Sequence, residues 1–318
     1  MILFTADWHL KLGQKNVPVE WALRRYELFF EQVYALEQRV DLHIIGGDIF
    51  DKLPSMEELD LYFDFVAGVS VRTLIYAGNH EATKKGKTFL TYLKTATNKI
   101  NPLVEIIDEI YEEDNFVIVP YEFIHKKTVW KNLTRDKVVF SHIRGEIEPH
   151  VKPEIDLDLL SDFSVVYVGD LHSHSNCQRN MVYPGSPMGI GFHRSSISTG
   201  YLLIDSDDTT KWTWGAFDLP QLIRKTVTSE DEMVATEPDH TIYEVEGSLT
   251  DLSKLKANDL LDKKITRRKS DTALILTKDM SKAEELREYL LYVLELDDKV
   301  VENAIRVFND HASRTSLE

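Results

Sequence analysis

The sequence predicts an α/β fold: a two-sheet β-sandwich flanked by helices, with a small α+β capping domain and a C-terminal two-helix tail. Three observations predict it. Short apolar runs alternate with amphipathic segments in the order βαβαβ at the start of the chain, the pattern of a parallel sheet covered by helices. Strand-like runs then follow one another with little helix between them. After Pro220 the pattern changes again, to two strand-like pieces and two amphipathic helices. The expected division is residues 1–218, 219–280 and 281–318.

The elements follow in order. ILFTA is a strand, and residues 19–38 read as a helix burying Leu23, Phe30, Val33 and Leu36. LHIIGG is a strand. SMEELDLYFDFVAGV is a helix, opened by a capping box of Ser55 and Glu58. RTLIYAGN is a strand, and residues 87–97 form the next helix. VEII, NFVIVP, KVVFSH and SVVYVGD are strands, with a short helix at 156–160 before the last. MVYPG, TGYLLID and TKWTWGAFD read as a β-meander. In the capping segment TIYEVEG and TALILTK are strands around a basic, helix-leaning stretch. In the tail, Leu286, Leu290, Val293 and Leu294 share one helix face, and Val301, Ala304, Ile305 and Phe308 another. Two readings stay open there: the faces close on their own domain, or they meet a partner.

The chain has 318 residues, enough for one large domain and a smaller one. Apolar residues make up 43% and charged residues 28%, as in soluble globular proteins. A single cysteine, Cys177, leaves no disulfide within the chain and fits a reducing, cytoplasmic setting. The chain opens directly on MILFTA, with no basic leader, and no apolar run approaches a membrane span. A net charge of −16 argues against indiscriminate nucleic-acid binding, because phosphate contacts need Lys and Arg. Carboxylates that hold metal ions are counted in that charge but are neutralised when they do so. Basic residues cluster at Lys84, Lys85 and Lys87, at Lys126, Lys127 and Lys131, and at Lys263, Lys264, Arg267, Arg268 and Lys269. Ordinary surface charge accounts for any one of these.

Five polar signals fall at or just past strand ends. They are Asp7 and His9 in ADWH, Asp48 and Asp51 in GGDIFD, Asn79 and His80 in GNHE, His142 in KVVFSH, and Asp170, His172 and His174 in GDLHSH. Ligands of open α/β sheets gather at the carboxyl edge of the strands. In an extended chain residues i and i+2 point the same way, so Asp7 and His9 can reach one ion. Aspartate, asparagine and histidine suit a pair of divalent ions. One carboxylate can bridge two such ions.

DWH, GDIFD, GNHE, SH and GDLHSH, in that order, resemble the motifs of the calcineurin-like metallophosphoesterases. GDIFD and the later YPGSPMG loop make the chain most similar to the SbcD-type nuclease subunits of SbcCD complexes, including those of tailed phages. The resemblance covers residues 1 to about 218 by motif and the remainder by architecture only. It implies that Asp7, His9 and His172 hold one ion, that Asn79, His142 and Asp170 hold the other, and that Asp48 bridges them. Asp170 stands where the family has histidine. That makes the second site oxygen-rich and favours Mn²⁺, or Mg²⁺, over Zn²⁺. His174 could replace it only along a different loop path. His80 is the implied acid for the leaving group, with orientation of Asn79 or Asp48 as its other role. Tyr183, Gly185, Ser186 and Pro187 match a loop beside the metals, with substrate contact implied for the first three, although a plain β-turn also accounts for them. The resemblance further implies Mn²⁺-dependent cleavage of DNA phosphodiesters, exonucleolytic on duplex ends and endonucleolytic on single strands, in recombination, repair or replication. Its implied partners are DNA, an SbcC-like coiled-coil ATPase docked on the tail, and a second copy of the chain meeting it through helices 19–38 and 55–69. A stand-alone phosphoesterase acting on a nucleotide or phosphoprotein is the alternative; the acidic balance favours it mildly, whereas GDIFD, YPGSP and the extra C-terminal third do not.

The other residues carry less. Asp51 reads as a helix cap or a contact behind the metals. His43 reads as packed in its strand, and His125, His240 and His311 lack a constellation. His150 and His193 read as loop residues. Trp8 reads as a wall of the site, and Trp212 and Trp214 as one face of a strand.

Overall fold

The computed structural model describes residues 1–83, 87–246, 255, 259–265, 280–294 and 296–315. These fall into two compact units. The first comprises residues 1–225 and 234–242, the second residues 226–233 and 243–318.

The first unit holds two sheets. β1 (Ile2–Thr5), β2 (Leu42–Gly46), β3 (Thr73–Tyr76) and β4 (Val104–Ile107) run parallel. β5 (Tyr111–Glu112), β6 (Phe116–Val119), β7 (Val138–His142), β8 (Val166–Gly169) and β9 (Met181–Val182) form the second sheet in that order. β10 (Gly200–Ile204) and β11 (Trp212–Ala216) return to the first sheet, whose order is β11-β10-β1-β2-β3-β4.

The central strands are four- or five-residue apolar runs buried on both faces, as a covered parallel sheet requires. Phe4, Ile44, Leu74 and Tyr76 of the first sheet meet Ile118, Phe140 and Tyr167 of the second in a common core. Outside the first sheet lie α1 (Val19–Glu37), α2 (Met56–Gly68) and α3 (Leu90–Ile100), which bury Phe29, Phe30, Val33 and Phe65 against Leu3, Ile45 and Ile75. Outside the second, α4 (Lys127–Asn132) and a 3₁₀ turn at Leu157–Leu160 cover Val139, Val166 and Val168. Ser55 and Glu58 do form the capping box that opens α2.

Local expectations shift in places. α3 starts three residues later than its apolar pattern predicts, because the chain first bridges Ala82 to Thr88. The expected meander is only two strands long. β10 and β11 pair antiparallel, but MVYPG supplies β9, which runs parallel to β8 in the other sheet.

In the second unit, β12 (Leu222–Val227), β13 (His240–Glu246) and β14 (Leu261–Ile265) make a three-stranded sheet in that order; its first and second strands begin in the first unit. β14 falls where a helix-leaning segment was expected, and β12 was not foreseen. The expected strand TALILTK lies outside the described residues. α5 (Lys282–Glu288), continued by one π-helical turn at Tyr289–Val293, and α6 (Asp298–Thr315) form the helix pair. Leu290 and Val301 are buried, whereas Val300 and Val307 are exposed.

Candidate metal centre

Strand register brings the motif loops to one level. Thr5 lies opposite Ile45, and Ile45 opposite Ile75, so the chain leaves β1, β2 and β3 together. In the second sheet His142 lies opposite Gly169. The loops after β1 and β2 then run side by side. Asp7 N–H donates to the Gly47 carbonyl at 3.0 Å, and His9 N–H to the Asp48 carbonyl at 2.9 Å. Asp7, His9, Asp48 and Asp170 all have positive φ, a conformation that costs a non-glycine residue and recurs where side chains are aimed at a ligand. Gly78 is required by contact: a Cβ there would stand 2.2 Å from Asp48 Oδ1.

The side chains converge from five strand ends. Ligand atoms of Asp7, His9 and His172 lie within 4.8 Å of one another, as do those of Asp7, Asp48 and His142, and those of His9, Asp48 and His80. Asp48 Oδ2 is 3.7 Å from His9 Nε2 and 3.4 Å from His142 Nε2, so one carboxylate oxygen faces both ends of the cluster. Asp170 Oδ1 is 3.8 Å from His142 Nε2. Asn79 Oδ1 is 2.9 Å from His142 Nε2. Asp7, His9, Asp48 and His142 are nearly inaccessible to water.

The donor set fits cations. The Asn79 amide turns one polar atom to within 2.9, 3.0 and 3.3 Å of His142 Nε2, Asp170 Oδ1 and Asp48 Oδ2, so it closes the gap between the histidine and the two carboxylates. Acceptors turned on one another repel unless a proton or a metal ion lies among them. His9 Nε2 and His172 Nε2 likewise meet at 3.1 Å. The titration pattern has the same cause. Burial pushes Asp7 well above the usual carboxylate range, and the charges of Asp48 and Asp170 add to it against His142. Burial opposes a charged His142, but Asp48, Asp7 and Asp170 outweigh it and raise its ring well above the usual histidine value. Burial lowers His9 to about 3, keeping its ring neutral and its lone pair available. The cluster is short of positive charge, which divalent ions held there would supply.

His80 stands at the mouth, its side chain 37% exposed. Nδ1 donates to the Asp51 carbonyl at 2.6 Å, which turns Nε2 toward Asp48 Oδ2, 3.9 Å away. Asp51 does not cap a helix; Ser55 does. Its carboxylate instead pairs with Lys11 at 2.8 Å and lies 3.7 Å from His9 Nδ1. His174 points elsewhere. Its Nδ1 donates to the Tyr183 carbonyl at 2.6 Å, and its ring stacks on Trp214.

The YPGSP loop lies beneath the cluster. Tyr183 is fully buried and donates its hydroxyl to the Ile143 carbonyl at 3.0 Å. Ser186 Oγ is buried, 2.7 Å from the carbonyls of both Asp7 and Met188. Gly185 has φ +80°, where a side chain would be strained, and its backbone passes close to His172 and His174. Ser186 thus braces the backbone of Asp7 and Gly185 lies against that of His172, while Tyr183 holds Ile143 and His174. Trp8 is buried against Phe29 and Phe65, a wall of the site and no platform for a base. His43 is held between Thr5 and Glu37 inside the fold.

Sequence reasoning passed over Glu81, the last residue of GNHE. Its fully buried carboxylate accepts the backbone N–H groups of Asp48, Gly78 and Phe50 at 2.9, 2.8 and 3.0 Å. It ties the loops after β2 and β3 together. Burial pushes its carboxyl up to about 7, with the Asp48 charge adding and the backbone donors opposing. An acidic residue directly after Asn79 and His80 was the available signal.

The calcineurin-like phosphoesterase model matches residues 1–187. The chain is 40% identical over 325 aligned positions to "Probable exonuclease subunit 1" of Escherichia phage T5, covering 98% of this chain and 99% of that protein. It is 26% identical to a protein of Invertebrate iridescent virus 6 that carries a phosphoesterase name, 244L, over 65% of this chain and 76% of that one. Among solved structures, that of TT1561 of Thermus thermophilus covers 68% of this chain and 97% of its own at 14% identity, with a TM-score of 0.40. With the motif loops converged at the strand ends and the family model spanning more than half of the sequence, the chain belongs to the calcineurin-like phosphoesterases and is a metal-dependent hydrolase.

Proposed function

We propose that this protein is a Mn²⁺-dependent DNA nuclease, with Mg²⁺ as the second choice of ion. It cuts duplex ends exonucleolytically and single strands endonucleolytically, as the nuclease subunit of an SbcCD-like complex. The observation that carries the metal reading is the convergence of ligand atoms of Asp7, His9 and His172, and of Asp7, Asp48 and His142, each set within 4.8 Å of one another. The phage T5 relative, matched from end to end and described as an exonuclease subunit, supports both a nuclease and a multi-subunit assembly.

Asp7, His9 and His172 hold one ion, Asn79, His142 and Asp170 the other, and Asp48 serves both. The second set has one imidazole among oxygens, the chemistry of Mn²⁺ or Mg²⁺ sites. When bound, the ions supply an activated water and neutralise charge on the phosphoryl group. The protein's own groups do the rest. His80, its Nδ1 proton committed to the Asp51 carbonyl, presents Nε2 to the leaving oxygen and, in its doubly protonated form, donates the Nε2 proton as the ester bond breaks. Its exposed edge allows the proton to return from solvent. Glu81, Gly185 and Ser186 hold the ligand-bearing loops in place.

Residues 219–280 act as the capping domain over DNA, and residues 281–318 as the docking tail for an SbcC-like coiled-coil ATPase. The nuclease domain pairs with a second copy. The setting is cytoplasmic, and among the described residues no helix is long and apolar enough to cross a membrane. The test is digestion of an end-labelled duplex with Mn²⁺, with and without the candidate ATPase and ATP. Progressive shortening, enhanced by the partner, is expected. Hydrolysis of a phosphomonoester but of no diester would move the reading to a stand-alone phosphoesterase.

A further inference from the structure

Arg144 follows the end of β7, two residues after His142, and is half-buried. Its backbone is tied down, because its carbonyl accepts from Glu154 N–H at 3.0 Å. Glu154 Oε1 in turn accepts the Tyr121 hydroxyl at 2.6 Å, and the Tyr121 ring stands edge-on to His142 with centroids 6.2 Å apart. The guanidinium is close enough for its charge to act on both Asp170 and Tyr121. Yet among the described residues it forms no ion pair and its guanidinium has no hydrogen-bond partner. Lys11, another cation at this edge, is already committed to Asp51.

A half-buried guanidinium with five unused donors is poorly satisfied by water alone. Its planar fork matches two oxygens of a phosphoryl group. In a chain of net charge −16, a half-buried cation two residues past His142 that forms no ion pair among the described residues is set apart from the surface lysines. We propose that Arg144 is the anion clamp of the site, donating to the non-bridging oxygens of the phosphoryl group held at the carboxylate cluster. The proposal rests on reading that cluster as a phosphoester site. Its rival is a purely electrostatic role, in which Arg144 offsets the extra negative charge that Asp170 brings.

Calorimetric titration of inorganic phosphate into the Mn²⁺-loaded full-length protein separates the two. Bound manganese is counted in the same samples of wild type, Arg144→Gln and Arg144→Lys. The clamp predicts that Arg144→Gln weakens phosphate binding by about tenfold or more with manganese content unchanged. Arg144→Lys recovers part of the loss, since lysine keeps the charge without the fork. With bis(p-nitrophenyl) phosphate, the KM of Arg144→Gln rises by more than its kcat falls. Unchanged phosphate affinity, or a loss that only follows a loss of manganese, would overturn the clamp. So would a wild type that binds no phosphate with its manganese in place. A wild type that binds phosphate but cleaves no diester would sink the nuclease reading and leave the clamp standing.

Discussion

The Glu81 carboxylate accepts the backbone N–H of Asp48 at 2.9 Å, so a side chain that touches no ligand holds the residue shared by both halves of the cluster. Glu81→Ala leaves the N–H groups of Asp48, Gly78 and Phe50 buried without a partner. Each orphaned donor costs about 1–3 kcal/mol. The expected outcome is a loss of about 3 kcal/mol or more in chemical denaturation, together with weakened Mn²⁺ binding. A variant as stable as wild type would mean that water replaces the carboxylate.

Asp170→Ala removes an oxygen that reaches toward His142 and Asn79. Elemental analysis is expected to find about two equivalents of manganese in the wild type and one in the variant. Two ions bound normally would remove Asp170 from the ligand set, and His174 would not replace it, because its ring is held by Tyr183 and Trp214.

His80→Asn keeps a polar group near Asp48 but removes the proton donor. Turnover of a diester is expected to fall about 10²–10⁴-fold while the affinity for Mn²⁺ changes little. Equal losses in both would make His80 an orienting group for the ligands instead.

Val300 and Val307 lie two turns apart on α6, 51% and 56% exposed, and share a face. If the tail docks the proposed coiled-coil ATPase, Val300→Asp with Val307→Asp is expected to abolish co-purification with it and to leave diester hydrolysis intact. Retained co-purification would place the docking surface elsewhere.

The sequence by itself determined the alternation of strands and helices and the places where ligand types punctuate strand ends. Both are local signals. An apolar run of four or five residues reads as a buried strand, and a polar residue just past its end stands at the sheet's edge. That is why the metal-centre candidates at the ends of β1, β2, β3, β7 and β8, and the capping box at Ser55, could be picked out residue by residue. Only the tertiary structure decided which strand lies beside which and which side chains meet. MVYPG has the same pattern in either sheet, and its pairing with β8 depends on residues far away in sequence. Tyr183 and Ser186 look like loop residues until neighbouring strands cover them. Glu81 and Arg144 resemble any other surface charges in a list of residues. What sets them apart is burial against backbone donors in one case and the lack of an ionic partner in the other, and both are properties of contacts made across the fold.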